Sequence, residues 1–212
     1  PINKLICASN DNKVLYDFFG SGTYDRQRKF VTTISPSMDI LISSNLERLL
    51  HMLCGRNGQM VRNFMEQLKS KESYTITPGM MEGLKDFYGG FATEEDTRKA
   101  IREVFRNHSY LMDTHTAVAY HVYKNYVEQT GDETKTVLAS TASPYKFTRA
   151  VLTSIDDRYA DQDDFALIKE MSKITGLPIP ETIKDIETRP VIHYKVCEKA
   201  AMMKSVMEFL GL

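Results

Sequence analysis

The sequence predicts an α/β protein in which helices cover both faces of a parallel β-sheet. Two short apolar segments without polar alternation, Leu5–Ala8 and Thr136–Ala139, have the pattern of strands buried in such a sheet. Each is followed by a polar turn and by residues with helical apolar spacing, which is the order of a strand-to-helix unit. Typical sheets have about four to six strands. Either further strands escape the pattern, or the rest of the sheet lies on residues outside this chain.

The start of the chain favours the second alternative. The sequence opens with Pro1 instead of an initiator Met and reaches the first apolar strand within a few residues. We therefore expect a fragment of a longer α/β protein, with a three-layer arrangement of parallel sheet and flanking helices that is incomplete here.

Composition and charge exclude several classes of function. Of the 212 residues, 42% are hydrophobic and 26% charged, which is ordinary for a globular protein with a substantial core. The net charge of −1 gives no electrostatic reason to expect nucleic acid or an anionic membrane as partner. No apolar run approaches the length of a membrane span. The three cysteines are far apart and lack a Cys-x-x-Cys pair, so we expect free thiols in the cytoplasm.

Helix signals in the first half of the chain are clear. Apolar spacing over 14–19 predicts a helix that ends at Gly20. Ser44 and Glu47 have the spacing of a capping box at the start of the next helix. Four leucines then recur at helical spacing: Leu46, Leu49, Leu50 and Leu53. A further helix is predicted from about Met60 to Lys69.

The second half of the chain is predicted to be mainly helical. Thr93 has the features of an N-cap, because three acidic residues follow it in the first turn. This helix should bury four side chains: Ala100, Ile101, Val104 and Phe105. Asp113 or Thr114 opens a deeply buried helix. Later helices are predicted over about 161–175 and 197–210, the last with an apolar stripe of Ala200, Met203, Met207 and Leu210.

Two polar turns are candidate sites because ligands of parallel sheets bind beyond the carboxyl ends of the strands. For Ser9–Asn12 we favour simple helix capping. For Ser140–Ser143, where Pro144 follows in the first helical position, capping and an anion or cofactor site are equally supported. His108, His115 and His121 share no metal-ligand spacing, and we predict no metal site.

Three segments, taken in order, resemble the longer form of threonine synthase. Residues 35–40 and 43–50 are similar to a signature of that family. Residues 113–118 resemble its Asp-Pro-His-Thr-Ala stretch, with Thr114 in place of the proline. Residues 140–147 resemble its Thr-Ala-His-Pro-Ala-Lys-Phe stretch, with Ser143 in place of the histidine. The resemblance extends over nearly the whole chain.

This resemblance implies the type II pyridoxal-phosphate fold, that of the tryptophan synthase β-subunit. The implied reaction converts O-phospho-L-homoserine and water to L-threonine and phosphate, with pyridoxal phosphate as the electron sink. It also implies that the Thr141 hydroxyl meets the pyridine nitrogen of the cofactor. No lysine of this chain stands in a matching motif, so no catalytic residue is assigned here. The aldimine lysine and the phosphate loop are expected upstream of Pro1.

The resemblance also suggests residues that contact the phosphorylated substrate. The candidates are Asn45, Arg48, His115 and Lys146, as cations or hydrogen-bond donors. Residues 1–212 would form the carboxy-terminal part of the large cofactor-binding domain. Its partner would be the missing amino-terminal half, and the chain alone would be inactive. Two alternatives stay open: a non-catalytic α/β protein that binds an anion or regulates a partner, and another type II pyridoxal-phosphate lyase.

Overall fold

The computed structural model describes residues 2–212, which separate into two units at Pro178. The first unit contains these elements in chain order: β1 (Leu5–Ser9), α1 (Val14–Ser21), β2 (Thr23–Asp25), α2 (Leu46–Leu53), α3 (Gly58–Lys71), β3 (Ser73–Thr75), α4 (Pro78–Glu82), β4 (Phe87–Phe91), α5 (Glu94–His108), α6 (Thr114–Thr130), α7 (Thr148–Ile155) and α8 (Asp164–Thr175). The second unit contains α9 (Met202–Leu210).

Strands β1 and β4 form a parallel pair, in register from Leu5 opposite Phe87 to Ser9 opposite Phe91. The prediction of β1 is confirmed, although most of its side chains are only half-buried. Strand β4 was not predicted, because Gly89 and Gly90 in its centre have the composition of a turn.

The two glycines of β4 explain how the layers are stacked. A Cβ atom on Gly89 would lie 2.9 Å from the Cβ of Phe19 on α1, and one on Gly90 would overlap Val122 on α6. Successive residues of a strand face opposite sides of the sheet. Helices α1 and α6 therefore cover opposite faces, and the predicted order of helix, parallel sheet and helix is confirmed.

The predicted strand at Thr136–Ala139 is wrong. These residues have no regular structure, and the Val137 side chain is 91% exposed. Apolar, β-branched residues favour a strand only where a neighbouring strand pairs with their backbone. Within residues 2–212, no strand pairs with this segment.

The first four helices and a small antiparallel ribbon enclose one hydrophobic core. In the ribbon, β2 pairs with β3, and the Tyr24 and Tyr74 rings stack with centroids 5.4 Å apart. The predicted leucine stripe of α2 is confirmed, since its members are buried or packed against this core. The predicted capping box is wrong. Asn45 occupies the N-cap position of α2, and no side chain caps it.

Helix α6 packs on the opposite face of the sheet, α5 packs on α6 and on α7, and α7 packs on α8. The N-cap prediction for Thr93 is confirmed, and Asp96 completes a capping box with it. Burial raises the pKa of the Asp96 carboxyl, but hydrogen bonds from Thr93 outweigh that effect and hold the pKa below its usual value. Of the two residues predicted to open α6, Asp113 is the N-cap and Thr114 is the first helical residue. Within residues 2–212, no helix is both long and apolar enough to cross a membrane.

Two helix ends differ from the predictions. Helix α1 continues through Gly20 to Ser21, because Gly22 adopts the left-handed conformation that ends it. Helix α8 begins at Asp164, where Asp163 accepts hydrogen bonds as its N-cap.

The second unit consists of turns, an extended segment and α9. The helix predicted over 197–210 is shorter, because Lys199–Ala201 forms a 3-10 turn before α9. Lys195 forms an ion pair with Glu208 of α9. The apolar side chains of this unit are largely exposed; they include Val191, Ile192, Tyr194, Val196, Met203, Met207 and Phe209.

We predict that Gly90→Ala destabilises the protein by about 1–3 kcal/mol, the usual cost of overpacking a filled core. The added methyl group would meet Val122 of α6, whose β-branched side chain has little rotamer freedom. Urea unfolding followed by circular dichroism measures the effect.

Gly79→Ala is the matched control for this prediction. Gly79 lies in α4 with no heavy atom within 4 Å of the added Cβ, so this change should be neutral or stabilising. Equal effects of the two substitutions would show that helix α6 does not approach β4 as described.

Candidate active site

The carboxyl ends of the two parallel strands lie at one edge of the sheet. The turn Asn10–Asn12 follows β1, and Thr93 follows β4 at the start of α5. The two turns are joined directly, because the backbone N–H of Glu94 donates to Asp11 Oδ2 at 3.1 Å. This is the edge at which ligands of parallel α/β sheets bind.

A buried polar cluster fills the turn after β1. The Nδ2 atoms of Asn10 and Asn12 lie 2.8 Å and 2.9 Å from the same oxygen, Asp39 Oδ1. Asn10 also donates to Ser35 Oγ, while Thr33 donates through its hydroxyl to Asp39. The expectation of helix capping for this turn is wrong, because no side chain caps α1 and the asparagines bind a distant loop instead.

That loop comprises residues 31–39, and side chains from several segments accept hydrogen bonds from its backbone. The Val31 N–H donates to Asn12 Oδ1 at 3.0 Å, and the Ile34 N–H to Glu94 Oε1 at 2.7 Å. The Ser37 N–H donates to His115 Nε2 at 3.1 Å. The 31–39 loop is thus fixed along the sheet edge by the starts of α5 and α6.

The N-terminus of α6 forms a second polar cluster around Asp113, which is 1% exposed. Asp113 Oδ1 accepts from the His115 N–H at 2.8 Å and lies 3.1 Å from His115 Nδ1. Because Nε2 accepts from Ser37, the neutral ring carries its proton on Nδ1 and donates it to Asp113. The Thr116 hydroxyl donates to the other carboxylate oxygen.

Residues 140–147 adjoin this cluster. Ser140 Oγ lies 2.9 Å from Thr116 Oγ1, and the Phe147 ring packs on His115 with centroids 4.8 Å apart. Lys146 Nζ lies 5.4 Å from the centroid of Phe147. Three predicted site residues therefore belong to one region. His115 lies in it directly, Thr141 follows Ser140, and Lys146 precedes Phe147.

In the part of the chain that the structure describes, the other two predicted site residues, Asn45 and Arg48, do not contact this region. Asn45 and Arg48 are exposed at the start of α2, where Arg48 Nη2 donates to Asn45 Oδ1 at 2.6 Å. Arg48 lines a shallow groove with residues of α2 and α3. Among residues 2–212, neither side chain forms a hydrogen bond or ion pair with His115 or Lys146.

The surroundings of Thr141 fit a hydroxyl partner for a cofactor ring nitrogen. Its side chain is exposed, and within the described chain its hydroxyl has no hydrogen-bond partner. The preceding Ser140 is held at the N-terminus of α6, and Ser143 caps the following 3-10 turn at Pro144–Phe147. A free hydroxyl between two fixed residues can accept or donate a hydrogen bond.

Cysteine and metal chemistry have little support in the described residues. Burial raises the pKa of the Cys7 thiol to about 11, so it is a poor nucleophile at neutral pH. Over residues 2–212, no group of three or more His, Cys, Asp or Glu side chains is arranged to hold a metal ion.

Comparison with known proteins gives matches to threonine synthases. A sequence profile described as "Threonine synthase, C-terminal" matches residues 116–207. The threonine synthase of Saccharomyces cerevisiae is 32% identical over 223 residues, and the human protein named threonine synthase-like 1 is 34% identical over 202 residues. Residues 116–207 thus match the carboxy-terminal domain of threonine synthases, and most of the chain is similar to these proteins.

Solved threonine synthases share the fold. The crystal structure of the yeast enzyme matches 100% of this chain with a TM-score of 0.83 at 28% identity. A pyridoxal-phosphate-bound threonine synthase from Brucella melitensis matches 99% of it with a TM-score of 0.78 at 31% identity. The predicted type II fold is therefore confirmed.

The chain spans only part of the length of these relatives. It covers 43% of the yeast threonine synthase and 27% of the human threonine synthase-like protein. It likewise covers 40% of the solved Brucella melitensis chain.

Sequence reasoning missed Asn10, Asn12 and Asp39 as parts of one cluster. Their separations of 27 and 29 residues give no local signal, and asparagine after a strand is as typical of a turn as of a buried network.

We predict that Asn10→Ala destabilises the protein by roughly 1–3 kcal/mol, because the buried acceptors around it lose their donor. Asn10 is 2% exposed and donates to three residues of the 31–39 loop, Thr33, Ser35 and Asp39. Asn63→Ala is the control, since Asn63 is exposed on α3. Thermal unfolding of both variants measures the difference. If Asn10→Ala were as harmless as the control, the cluster would not stabilise the loop.

Proposed function

We propose that this chain supplies the carboxy-terminal part of the large cofactor-binding domain of a threonine synthase. The reaction is the conversion of O-phospho-L-homoserine and water to L-threonine and phosphate, in threonine biosynthesis. Similarity to threonine synthases supports the reaction, and the interpretation of the three cysteines as free thiols supports a cytoplasmic location. The observation that carries the site is the contact between Ser140 and Thr116, which joins the segment of Thr141 to the start of α6.

In this proposal Thr141 donates to, or accepts from, the ring nitrogen of pyridoxal phosphate. When bound, the cofactor supplies an electron sink for negative charge that develops on the substrate. A hydroxyl partner, unlike a carboxylate, does not strongly favour a protonated ring nitrogen. The lysine that binds the cofactor covalently would come from the amino-terminal part of the enzyme.

The surrounding residues would position the substrate. Asp113 and the Ser37 N–H hold the His115 ring in one tautomer and orientation. Lys146 is an exposed cation next to Phe147, whose ring packs on His115, and would attract the substrate phosphate. Asn45 and Arg48 stay candidates for substrate contact, although their side chains hydrogen-bond to each other at the start of α2.

We predict that the purified 212-residue chain does not release phosphate from O-phospho-L-homoserine, even with added pyridoxal phosphate. Without the covalent lysine and the phosphate loop, the cofactor lacks its two main attachments. A colorimetric assay for inorganic phosphate measures the result. Turnover by the chain alone, above that of a heat-denatured sample, would refute the proposed division of the enzyme.

We predict that Thr141→Ala lowers kcat about tenfold in a chimera that joins this chain to the part of the yeast enzyme it does not cover. The loss of one hydrogen bond worth roughly 1.4 kcal/mol in the transition state has this effect. Cofactor binding through the lysine should persist, as measured by visible absorbance. Thr136→Ala is the control, because Thr136 is an exposed threonine of the same irregular segment. Equal rates for the two variants would remove Thr141 from the cofactor site.

A further inference from the structure

Four backbone N–H groups of the 31–39 loop donate to side chains, and one of the four acceptors is sensitive to acid. Three acceptors are an amide and two carboxylates, which belong to Asn12, Asp39 and Glu94. The fourth is Nε2 of His115, which lies 3.1 Å from the Ser37 nitrogen. Of these chemical groups, the imidazole is the one whose charge ordinarily changes between about pH 5 and about pH 8.

The hydrogen bond from Ser37 requires a neutral His115 ring. Nε2 accepts only while it carries no proton. The ring proton is then on Nδ1, which lies 3.1 Å from Asp113 Oδ1 and 3.3 Å from Thr114 Oγ1. In a protonated ring both nitrogens are donors, so a second N–H group would point at the Ser37 N–H. The contact is therefore complete while the ring is neutral and is lost as the pH falls.

Asp113 holds the ring in place in both charge states, because Nδ1 carries a proton in each of them. Its buried carboxylate also favours the protonated ring. Other charged groups near this contact belong to the loop, to α5 and to the turn before α7: Asp39, Glu94, Arg98 and Lys146. Two of them are acids and two are cations, so their effects on the ring oppose one another. Protonation should thus displace the loop and leave the imidazole where it is.

The part of the loop that protonation would release is short. Ser35 is 1% exposed, and Asp39 accepts hydrogen bonds from the turn after β1. The 3-10 turn Pro36–Met38 lies between these two anchors. Ser37 is exposed, so water can accept from its N–H once His115 no longer does. Opening of this turn therefore leaves no buried donor without a partner, which keeps its free-energy cost low.

We propose that His115 and Ser37 form an acid-sensitive latch, in which protonation of the imidazole releases the Pro36–Met38 turn from the start of α6. Pro36 and Phe147 both line a groove of about 610 Å³, and the Phe147 ring packs on His115. Release of the turn thus loosens one wall of a groove beside the candidate active site. The latch is carried by contacts within this chain, and only its effect on turnover rests on the proposed function.

A pH titration of the full 212-residue chain, followed by nuclear magnetic resonance, tests the latch. Between about pH 7.5 and about pH 5.5, the Ser37 amide proton should shift upfield, toward the position of a solvated amide. Its midpoint should equal that of the His115 ring protons. The Val31 amide should not shift, because its acceptor is the uncharged side chain of Asn12. In His115→Gln the Ser37 resonance should no longer follow the pH, since a side-chain amide does not titrate.

Asp113→Asn distinguishes a latch from a purely structural contact. Asparagine keeps an acceptor at the N-cap of α6 but removes the negative charge that stabilises the protonated ring. The midpoint of the Ser37 transition should therefore move to lower pH by about one unit or more. His108→Gln is the matched control, since His108 is exposed in the last turn of α5, and it should leave the transition unchanged. Thermal unfolding of each variant checks that the fold is intact.

Two results would overturn the latch: a Ser37 amide that does not respond to pH in the unsubstituted chain, or an equal response in His115→Gln. The chimera described above separates this outcome from failure of the proposed function. A chimera that is inactive at every pH would count against the proposed reaction and leave the latch standing. An active chimera whose Ser37 amide does not respond would overturn the latch alone.

Discussion

Helices α1 and α6 approach strand β4 so closely that neither Gly89 nor Gly90 has room for a Cβ atom. The polar edge depends on this constraint. Because α6 packs on the sheet at this distance, its N-terminus with Asp113 lies near the end of β1, where the 31–39 loop contacts it. A larger residue in the centre of β4 would move the helix and, with it, the acceptor for the Ser37 N–H.

The fold could be predicted from the sequence wherever local signals and tertiary packing agree. The N-cap at Thr93 was predicted, and the start of α6 was placed at Asp113 or Thr114, because a capping side chain acts within three residues of itself. The strand at 87–91 was missed because its two glycines suggest a turn. They are needed because α1 and α6, which are distant in sequence, approach the strand closely. The segment 136–139 was wrongly predicted as a strand. A strand needs a neighbouring strand to pair with, and apolar composition does not indicate whether one is present.

The candidate site was predictable only in part. Residues 140–147 were singled out by turn position and by resemblance, and their contact with the start of α6 agrees with that choice. The Asp39 cluster depends on hydrogen bonds between residues that are 27 and 29 positions apart in the sequence. Such juxtapositions follow from the fold as a whole, so no short window of sequence contains them.

The 31–39 loop has an unusual consequence for amide hydrogen exchange. Its N–H groups at Val31, Thr33, Ile34 and Ser37 donate to side chains, whereas helix and strand amides donate to backbone carbonyls. Their exchange rates therefore depend on the side chains that accept from them, in the turn after β1, in the loop itself, in α5 and in α6. Deuterium uptake at these four amides would thus measure local opening of the polar edge.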